Sequence, residues 1–225
     1  MTQDTAKRNK YFTNAGMREY FCSLRYCLYT ARRPLVGFWD LIHEGKGTMA
    51  AAHTIVAIAI LVEILTVTST NFQFRPAYME VVNIFTIAAQ IILPIFLWTV
   101  ANWSLTTLMD GKGRLRDIYM GTAYALAPMV IINAILIPLS HVITFDEGVM
   151  YWLLLSIGML WFAMLLVCAM MEIHDYSMSK TILSSLFTLV AIGIMLFIFV
   201  VFFAVVSDGI AFFVSVVQEA MFRVR

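Results

Sequence analysis

The 27 residues TILSSLFTLVAIGIMLFIFVVFFAVVS, at positions 181–207, contain no Asp, Glu, Lys or Arg. A helix needs about 20 apolar residues to cross a hydrocarbon core roughly 30 Å thick, so this stretch is long enough to span a membrane. Four further apolar stretches precede it in the chain: Thr48–Thr68, Val81–Met109, Ile118–Phe145 and Gly148–Met171. Only the first is interrupted by a charge, that of Glu63. The sequence therefore predicts an integral membrane protein with five spans.

The composition of the whole chain agrees with this prediction. Hydrophobic residues make up 61% of the 225 positions and charged residues 13%, about half the charged share of a soluble domain. We expect an N-terminal approach segment (1–47), one membrane domain (48–207) and an extracytoplasmic amphipathic tail (208–225). The basic residues are scattered, which argues against nucleic acid as a partner. The three cysteines predict free thiols, since neither a disulfide framework nor a zinc-binding spacing is present.

The distribution of Lys and Arg predicts the orientation in the membrane. Twelve of the fifteen lie in the approach segment or in the connections after the second and fourth spans. The other three are Arg75, Arg223 and Arg225, on the opposite side. The positive-inside rule therefore predicts a cytoplasmic N-terminus and an extracytoplasmic C-terminus. Because 47 mostly polar or amphipathic residues precede the first apolar stretch, we expect that stretch to be an uncleaved anchor.

Two amphipathic helices are predicted within the approach segment. The first has an apolar face with helical spacing, formed by Met17, Tyr20, Phe21, Leu24 and Leu28. The second begins at Pro34, ends near Gly45, and has an apolar stripe formed by Leu35, Phe38, Trp39 and Ile42. Two interpretations remain open and are compatible. The helices either lie in the membrane interface or pack on the cytoplasmic ends of the spans.

Polar residues within the predicted spans are the candidates for an intramembrane site. They are Glu63, Asn83, Gln90 and Asn133. In the first span, small residues recur on the same stripe as Glu63, which favours close helix packing. Amide side chains in a membrane more often connect helices than bind substrates, so both roles stay open. Prolines at 94, 128 and 138 predict irregular positions within the second and third spans.

Motifs for catalysis are nearly absent. Glu172, His174 and Asp175 form a cluster that could bind a metal or move protons, but no zinc-protease pattern, nucleophile elbow or phosphate-binding loop accompanies it. We therefore predict no enzyme activity, no catalytic residues, no metal and no cofactor. Five spans also do not divide into two equal inverted halves, which weakens a transporter interpretation.

One segment carries a resemblance to a known family. The chain has RPLVGFWDLIHEGKGT before the first span and WSLTTLMDGKGRLRDIYMGTAYALAPMV from the second span into the third. The second segment contains a Gly-x-x-Tyr-x-x-x-Pro pattern, and the chain closes with QEAMFRVR. Over residues 34–225 it resembles the bacterial branch of the Yip family, five-span proteins related to the Ypt/Rab-interacting membrane proteins of eukaryotes. The Asp-Leu-Tyr-Gly-Pro motif of the eukaryotic members does not occur here, so the resemblance implies an architecture rather than a mechanism.

Together these features predict an all-α, polytopic five-helix bundle with N-terminal cytoplasmic amphipathic helices, in a bacterial cytoplasmic membrane. We expect an interaction or accessory protein that contacts the lipid bilayer and another membrane or cytoplasmic protein; a homo-oligomer stays open. The candidate partner surface comprises Trp39, Lys112, Arg114 and Arg116. The alternative is a transporter or permease subunit, in which Glu63, Asn83, Gln90 and Asn133 would converge on one polar cavity.

Overall fold

The computed structural model describes residues 14–74 and 83–224 of the chain. Lys7, Arg8, Lys10, Arg75 and Arg225, which entered the orientation argument, lie outside the described residues. Every long element in the described part is an α-helix. In chain order the helices are α1 (Asn14–Arg32), α2 (Pro34–His43), α3 (Met49–Ser69), α4 (Ile84–Leu108), α5 (Leu115–Ala125), α6 (Ala127–Leu139), α7 (Gly148–His174) and α8 (Met178–Val224).

Five helical segments are long and apolar enough to cross a membrane, as the sequence predicts. They are α3, α4, α5 with α6, α7 and α8. The third span is divided at Leu126, two residues before Pro128, and it ends at Leu139, short of the predicted Phe145. Pro94 lies inside α4 without ending it. The all-α, five-span architecture is thus confirmed.

The approach segment forms the two predicted helices, and both pack on the bundle. The face of α1 turned toward the bundle consists of Ser23, Cys27, Thr30 and Ala31, each at most 8% exposed. In α2, Phe38 and Leu41 are almost fully buried. The Tyr26 hydroxyl of α1 donates a 2.8 Å hydrogen bond to the Asp40 carboxylate of α2. This bond and a second one from Lys46 lower the pKa of the Asp40 carboxyl.

The last helix is longer than a span requires. α8 has 47 residues, so it is about 70 Å long at 1.5 Å per residue. It continues without interruption through Ser207, and the domain boundary predicted at 207/208 does not coincide with a helix end. Its buried residues within the described part are Thr181, Ser184 and Thr188, all near its beginning.

The main core lies toward the end of the bundle that carries α1 and α2. Phe38, Ile118, Tyr124, Leu165 and Met170 are at most 1% exposed there. A smaller cluster of Phe74, Leu136 and Tyr151 lies at the other end. The main core therefore joins the approach helices to α3, α5 and α7. The connections after the second and fourth spans lie at the same end of the bundle.

Candidate functional site

Three parts of the chain meet at one end of the bundle. We call this the basic end and define it as α2, the 109–114 connection and residues 174–180. The Lys112 ammonium lies 2.7 Å from the Asp175 carboxylate. The Tyr176 hydroxyl donates to the Met109 carbonyl at 2.9 Å, and Lys180 donates to the same oxygen at 3.2 Å. The two connections after the second and fourth spans are thus fastened to each other.

A buried chain of hydrogen bonds lies directly beneath the basic end. The backbone N–H of Gly113 donates to His174 Nδ1 at 3.3 Å, so Nε2 carries the ring proton. That nitrogen is 2.9 Å from Asn102 Oδ1, and Asn102 Nδ2 donates to Thr188 Oγ1 at 3.1 Å. All three side chains are at most 2% exposed. These hydrogen bonds connect α4, α7 and α8 to the 109–114 segment.

The two glycines of the DGKGRLRD segment allow this connection to lie against His174. A Cβ atom at Gly113 would come within 2.5 Å of His174 Cε1 and of Ile173 Cγ2. At Gly111 it would come within 2.8 Å of His174 Nδ1 and of Thr106 Cβ. These glycines are therefore required by close packing, a role that their position between two helices did not reveal.

Trp39 and Lys112, two of the four residues of the predicted partner surface, both lie at the basic end. Trp39 is 44% exposed, and its ring stacks on that of His43 with 4.8 Å between centroids. The hydrogen bond and charge of Lys112 lower the pKa of the Asp175 carboxyl, and His43 adds a smaller lowering. Asp175 directly follows α7 and binds Lys112, and α2, which carries Trp39 and His43, packs against α7. The side chains of Lys112 and Asp175 are both largely exposed.

Arg114 and Arg116 occupy different surroundings. Arg114 is the N-cap residue of α5, and its side chain makes no capping hydrogen bond. Arg116 lies in the first turn of that helix and lines a cavity between α3, α4 and α5. Neither arginine forms an ion pair with any residue in 14–74 or 83–224. Arg114 and Arg116, which the sequence analysis assigned to one surface, therefore lie in different surroundings.

The Gly-x-x-Tyr-x-x-x-Pro pattern is where α1 docks onto the third span. Tyr124 is fully buried, and its hydroxyl lies 2.6 Å from Ser23 Oγ of α1. Ser23 Oγ also accepts a hydrogen bond from the backbone N–H of Thr48 at 3.1 Å. Pro128 has no N–H to bind the Tyr124 carbonyl, and the Cys27 thiol donates to that oxygen instead, at 3.8 Å. A Cβ at Gly121 would lie 2.7 Å from Ile173 Cδ1, so glycine allows close contact with α7.

Three of the four predicted intramembrane polar residues line one cavity. Its volume is about 650 Å³, and Glu63, Gln90 and Asn133 contribute to a lining that is mostly apolar. The Asn133 amide donates to the Glu63 carboxylate at 3.4 Å. Asn83 does not reach this cavity. It is the N-cap residue of α4, where its side chain accepts a 2.9 Å hydrogen bond from the backbone N–H of Phe85.

Two polar atoms of cavity-lining residues have no partner among the described residues. They are Asn133 Oδ1 and Trp98 Nε1, and both are buried. Buried polar groups in proteins are nearly always hydrogen-bonded, so unpaired ones call for an explanation. Trp98 was not predicted as a site residue. An apolar tryptophan within a 29-residue uncharged stretch gives no sign of an unpaired N–H.

The Glu172, His174 and Asp175 cluster does not form a shared cleft. His174 is buried and turned toward Asn102, whereas Asp175 is exposed and bound to Lys112. Within residues 14–74 and 83–224, no group of three His, Cys, Asp or Glu residues is placed to hold a metal ion. Cys22, Cys27 and Cys168 are free thiols, as predicted.

The fold and these surfaces define a helical, multi-pass membrane protein whose N-terminal helices are packed onto its spans. The model of the Yip1 domain family matches residues 28–217, most of the chain. The chain therefore belongs to the Yip1 domain family. A search of the curated proteins and a search of the solved structures found no match to this chain.

Proposed function

We propose that this Yip-type membrane protein acts as an interaction or accessory protein without catalytic activity of its own, and that its basic end binds a protein partner. The observation that carries the proposal is the presence at the basic end of two contacts, the stacked rings of Trp39 and His43 and the ion pair of Lys112 with Asp175. The opposite face of α2 is anchored by Phe38 and Leu41, so Trp39 is held on a rigid support. Exposed tryptophans that are held rigidly, with charged residues nearby, are typical centres of binding energy in interfaces.

The proposal is tested by purifying the protein from its native membranes and quantifying the proteins that accompany it. We expect Trp39→Ala to lower partner recovery by about 30-fold, since a central interface residue contributes about 2 kcal/mol or more. Trp152→Ala is the matched control, because Trp152 is also exposed but lies near the beginning of α7, at the opposite end of that helix. Equal losses in the two variants, at equal membrane levels, would assign Trp39 to lipid anchoring instead.

The proposal also requires a particular orientation of the protein in the membrane. For a partner in the cytoplasm, the basic end must face the cytoplasm, as the distribution of Lys and Arg predicts. A reporter inserted between Gly111 and Arg116 should then be active inside the cell, and one fused after Arg225 should be active outside. A cytoplasmic C-terminal reporter would show that the five-span topology or its orientation is wrong.

A second candidate, a transporter or permease subunit, is favoured by the convergence of Glu63, Gln90 and Asn133 on one cavity. Glu63→Gln separates the candidates, because the new amide can still accept the hydrogen bond from Asn133. An accessory protein should tolerate this change, with unchanged folded yield and partner recovery. Loss of solute uptake into liposomes by a well-folded Glu63→Gln protein would support the transporter.

A further inference from the structure

A second cavity lies between α3, α4 and the beginning of α5, and the partner surface around Trp39 and Lys112 does not include it. Its volume is about 640 Å³. Most of its lining is apolar. Three of its four polar residues, His53, Arg116 and Tyr119, lie in the first two turns of α3 and α5, and the fourth, Thr99 of α4, donates its hydroxyl to the Ile95 carbonyl. This separation of a polar end from an apolar body is the form of a site for an amphiphilic molecule.

The polar end of this cavity contains His53, Arg116 and Tyr119. His53 Nδ1 and the Tyr119 hydroxyl are 2.7 Å apart, so the two side chains hold each other in place across α3 and α5. Arg116 is exposed and has no ion pair within residues 14–74 and 83–224. A guanidinium with no carboxylate partner is suited to bind an anionic oxygen group, above all a phosphate.

The whole cavity has about the length of one membrane leaflet. Along α3 the cavity extends from Met49 to Ile60, eleven residues apart and therefore about 16 Å. Half of a hydrocarbon core of roughly 30 Å is about 15 Å. On α4, Ile92 and Phe96 line the same cavity and are 50% and 59% exposed, so their apolar surfaces are available to a chain.

We propose that this cavity binds one anionic phospholipid from the leaflet at the basic end. The phosphate lies at Arg116, beside His53 and Tyr119, and one acyl chain lies along Ile60 and Phe96. The negative charge complements Arg116, and the length of the cavity along α3 matches half of the hydrocarbon core. The site is independent of the proposed protein partner, because that proposal rests on the basic end, and Arg116 lies outside the residues that define it.

The test uses the purified full chain alone, in nanodiscs that contain equal amounts of phosphatidylglycerol and phosphatidylcholine with the same acyl chains. Native mass spectrometry then counts the lipids that remain bound after release. We expect one phosphatidylglycerol, preferred over phosphatidylcholine by about fivefold, the effect of one basic residue near an anionic lipid. Arg116→Gln should abolish this preference.

Arg114→Gln is the matched control, since it removes the same charge two residues earlier and outside the cavity. It should leave the preference unchanged. Ala57→Phe, which places a ring within the cavity lining, should lower retention of the bound lipid without any change of charge. Circular dichroism and size-exclusion profiles verify that each variant is folded.

Three results would overturn the proposal. The first is equal retention of the two lipids by the wild-type protein. The second is an equal loss of preference in Arg114→Gln and Arg116→Gln, which would indicate a general attraction to the basic end. The third is displacement of the lipid by excess inorganic phosphate, which would indicate a phosphate site without a role for the acyl chain. A failure to recover any protein partner would leave all of these measurements unaffected.

Discussion

The first and last helices of the described part, α1 and α8, differ in composition, but both attach to the bundle through small and hydroxyl-bearing residues. α1 is polar and charged, and its buried face includes Ser23, Cys27 and Thr30. α8 is the most apolar span, yet within the described residues it buries only Thr181, Ser184 and Thr188. On both helices several large apolar side chains are exposed; Phe21 is 61% exposed and Phe202 62%.

This comparison shows that apolar character does not predict helix contact in this protein. Lipid tails solvate apolar side chains as well as another helix does, so small and hydroxyl-bearing residues select the contacts instead. The two helices differ in extent. α1 is joined to α3, α5 and α7 through Tyr20, Ser23 and Ala31, whereas the buried residues of α8 all lie in its first eleven positions.

The largest effect is expected where α8 joins the bundle. Asn102→Leu removes the amide between His174 and Thr188. The buried N–H of His174 Nε2 then has no partner, and Thr188 Oγ1 loses one hydrogen bond while still donating to the Ser184 carbonyl. An unpaired buried group costs about 1–3 kcal/mol and a lost hydrogen bond about 1 kcal/mol, so we expect a loss of about 3 kcal/mol in unfolding free energy. Unfolding of the purified protein in mixed micelles with increasing denaturing detergent measures this loss.

Asn83→Leu is the control, because it removes an exposed amide that only caps α4. It should cost about 1 kcal/mol. If the two variants lose the same stability, the buried hydrogen bonds of Asn102 do not hold α8 in place. The first eleven positions of α8 would then contribute no more to its attachment than the rest of the helix.

A smaller effect is expected where α1 meets α2. A Cβ at Gly37 would lie 2.8 Å from Thr30 Cα, a backbone atom that cannot rotate away. Gly37→Ala should therefore destabilise the protein by about 2 kcal/mol through overpacking. Gly193→Ala in α8 is the control, since no atom lies within 4 Å of its added Cβ. That change should be neutral or stabilise the helix by up to about 1 kcal/mol, and a similar loss in both would argue against close packing of α1 on α2.

The smallest effect is expected at the hydroxyl that joins α1 to the third span. Tyr124→Phe removes the hydrogen bonds to Ser23 Oγ and to the Ser23 carbonyl while keeping the ring. Ser23 Oγ still accepts a bond from Thr48, so we expect a loss of about 1 kcal/mol. Limited proteolysis should detect earlier release of α1 in this variant. Unchanged release would mean that the hydroxyl does not contribute to docking.

The five spans were predictable because the length and charge of an apolar stretch are properties of the sequence itself. The break at Leu126 was predictable in kind from Pro128. The face of α1 that packs on the bundle was not predictable. Its apolar stripe correctly indicated a helix, but Phe21 and Leu28 on that stripe are exposed, and Ser23 and Thr30 are buried.

The candidate sites were predictable only in part, because they depend on distances between helices. Intramembrane polarity singled out Glu63, Gln90 and Asn133, which do line one cavity. The same criterion included Asn83, which caps a helix outside it. The contact of His174 with Gly113 and Asn102 spans 61 and 72 positions of the chain, and no periodicity within one helix reports such a pair.

Alkylation of Cys22 and Cys27 tests most directly the claim that α1 is part of the bundle. These thiols lie five residues apart on one helix, and Cys22 is exposed whereas Cys27 is buried beside the Tyr124 carbonyl. Burial raises the pKa of the Cys27 thiol to about 12, so almost no reactive thiolate forms there at pH 8. In intact membranes we predict rapid labelling of Cys22 by iodoacetamide, and labelling of Cys27 only after denaturation. Equal labelling of both at pH 8 would show that α1 is not docked as described.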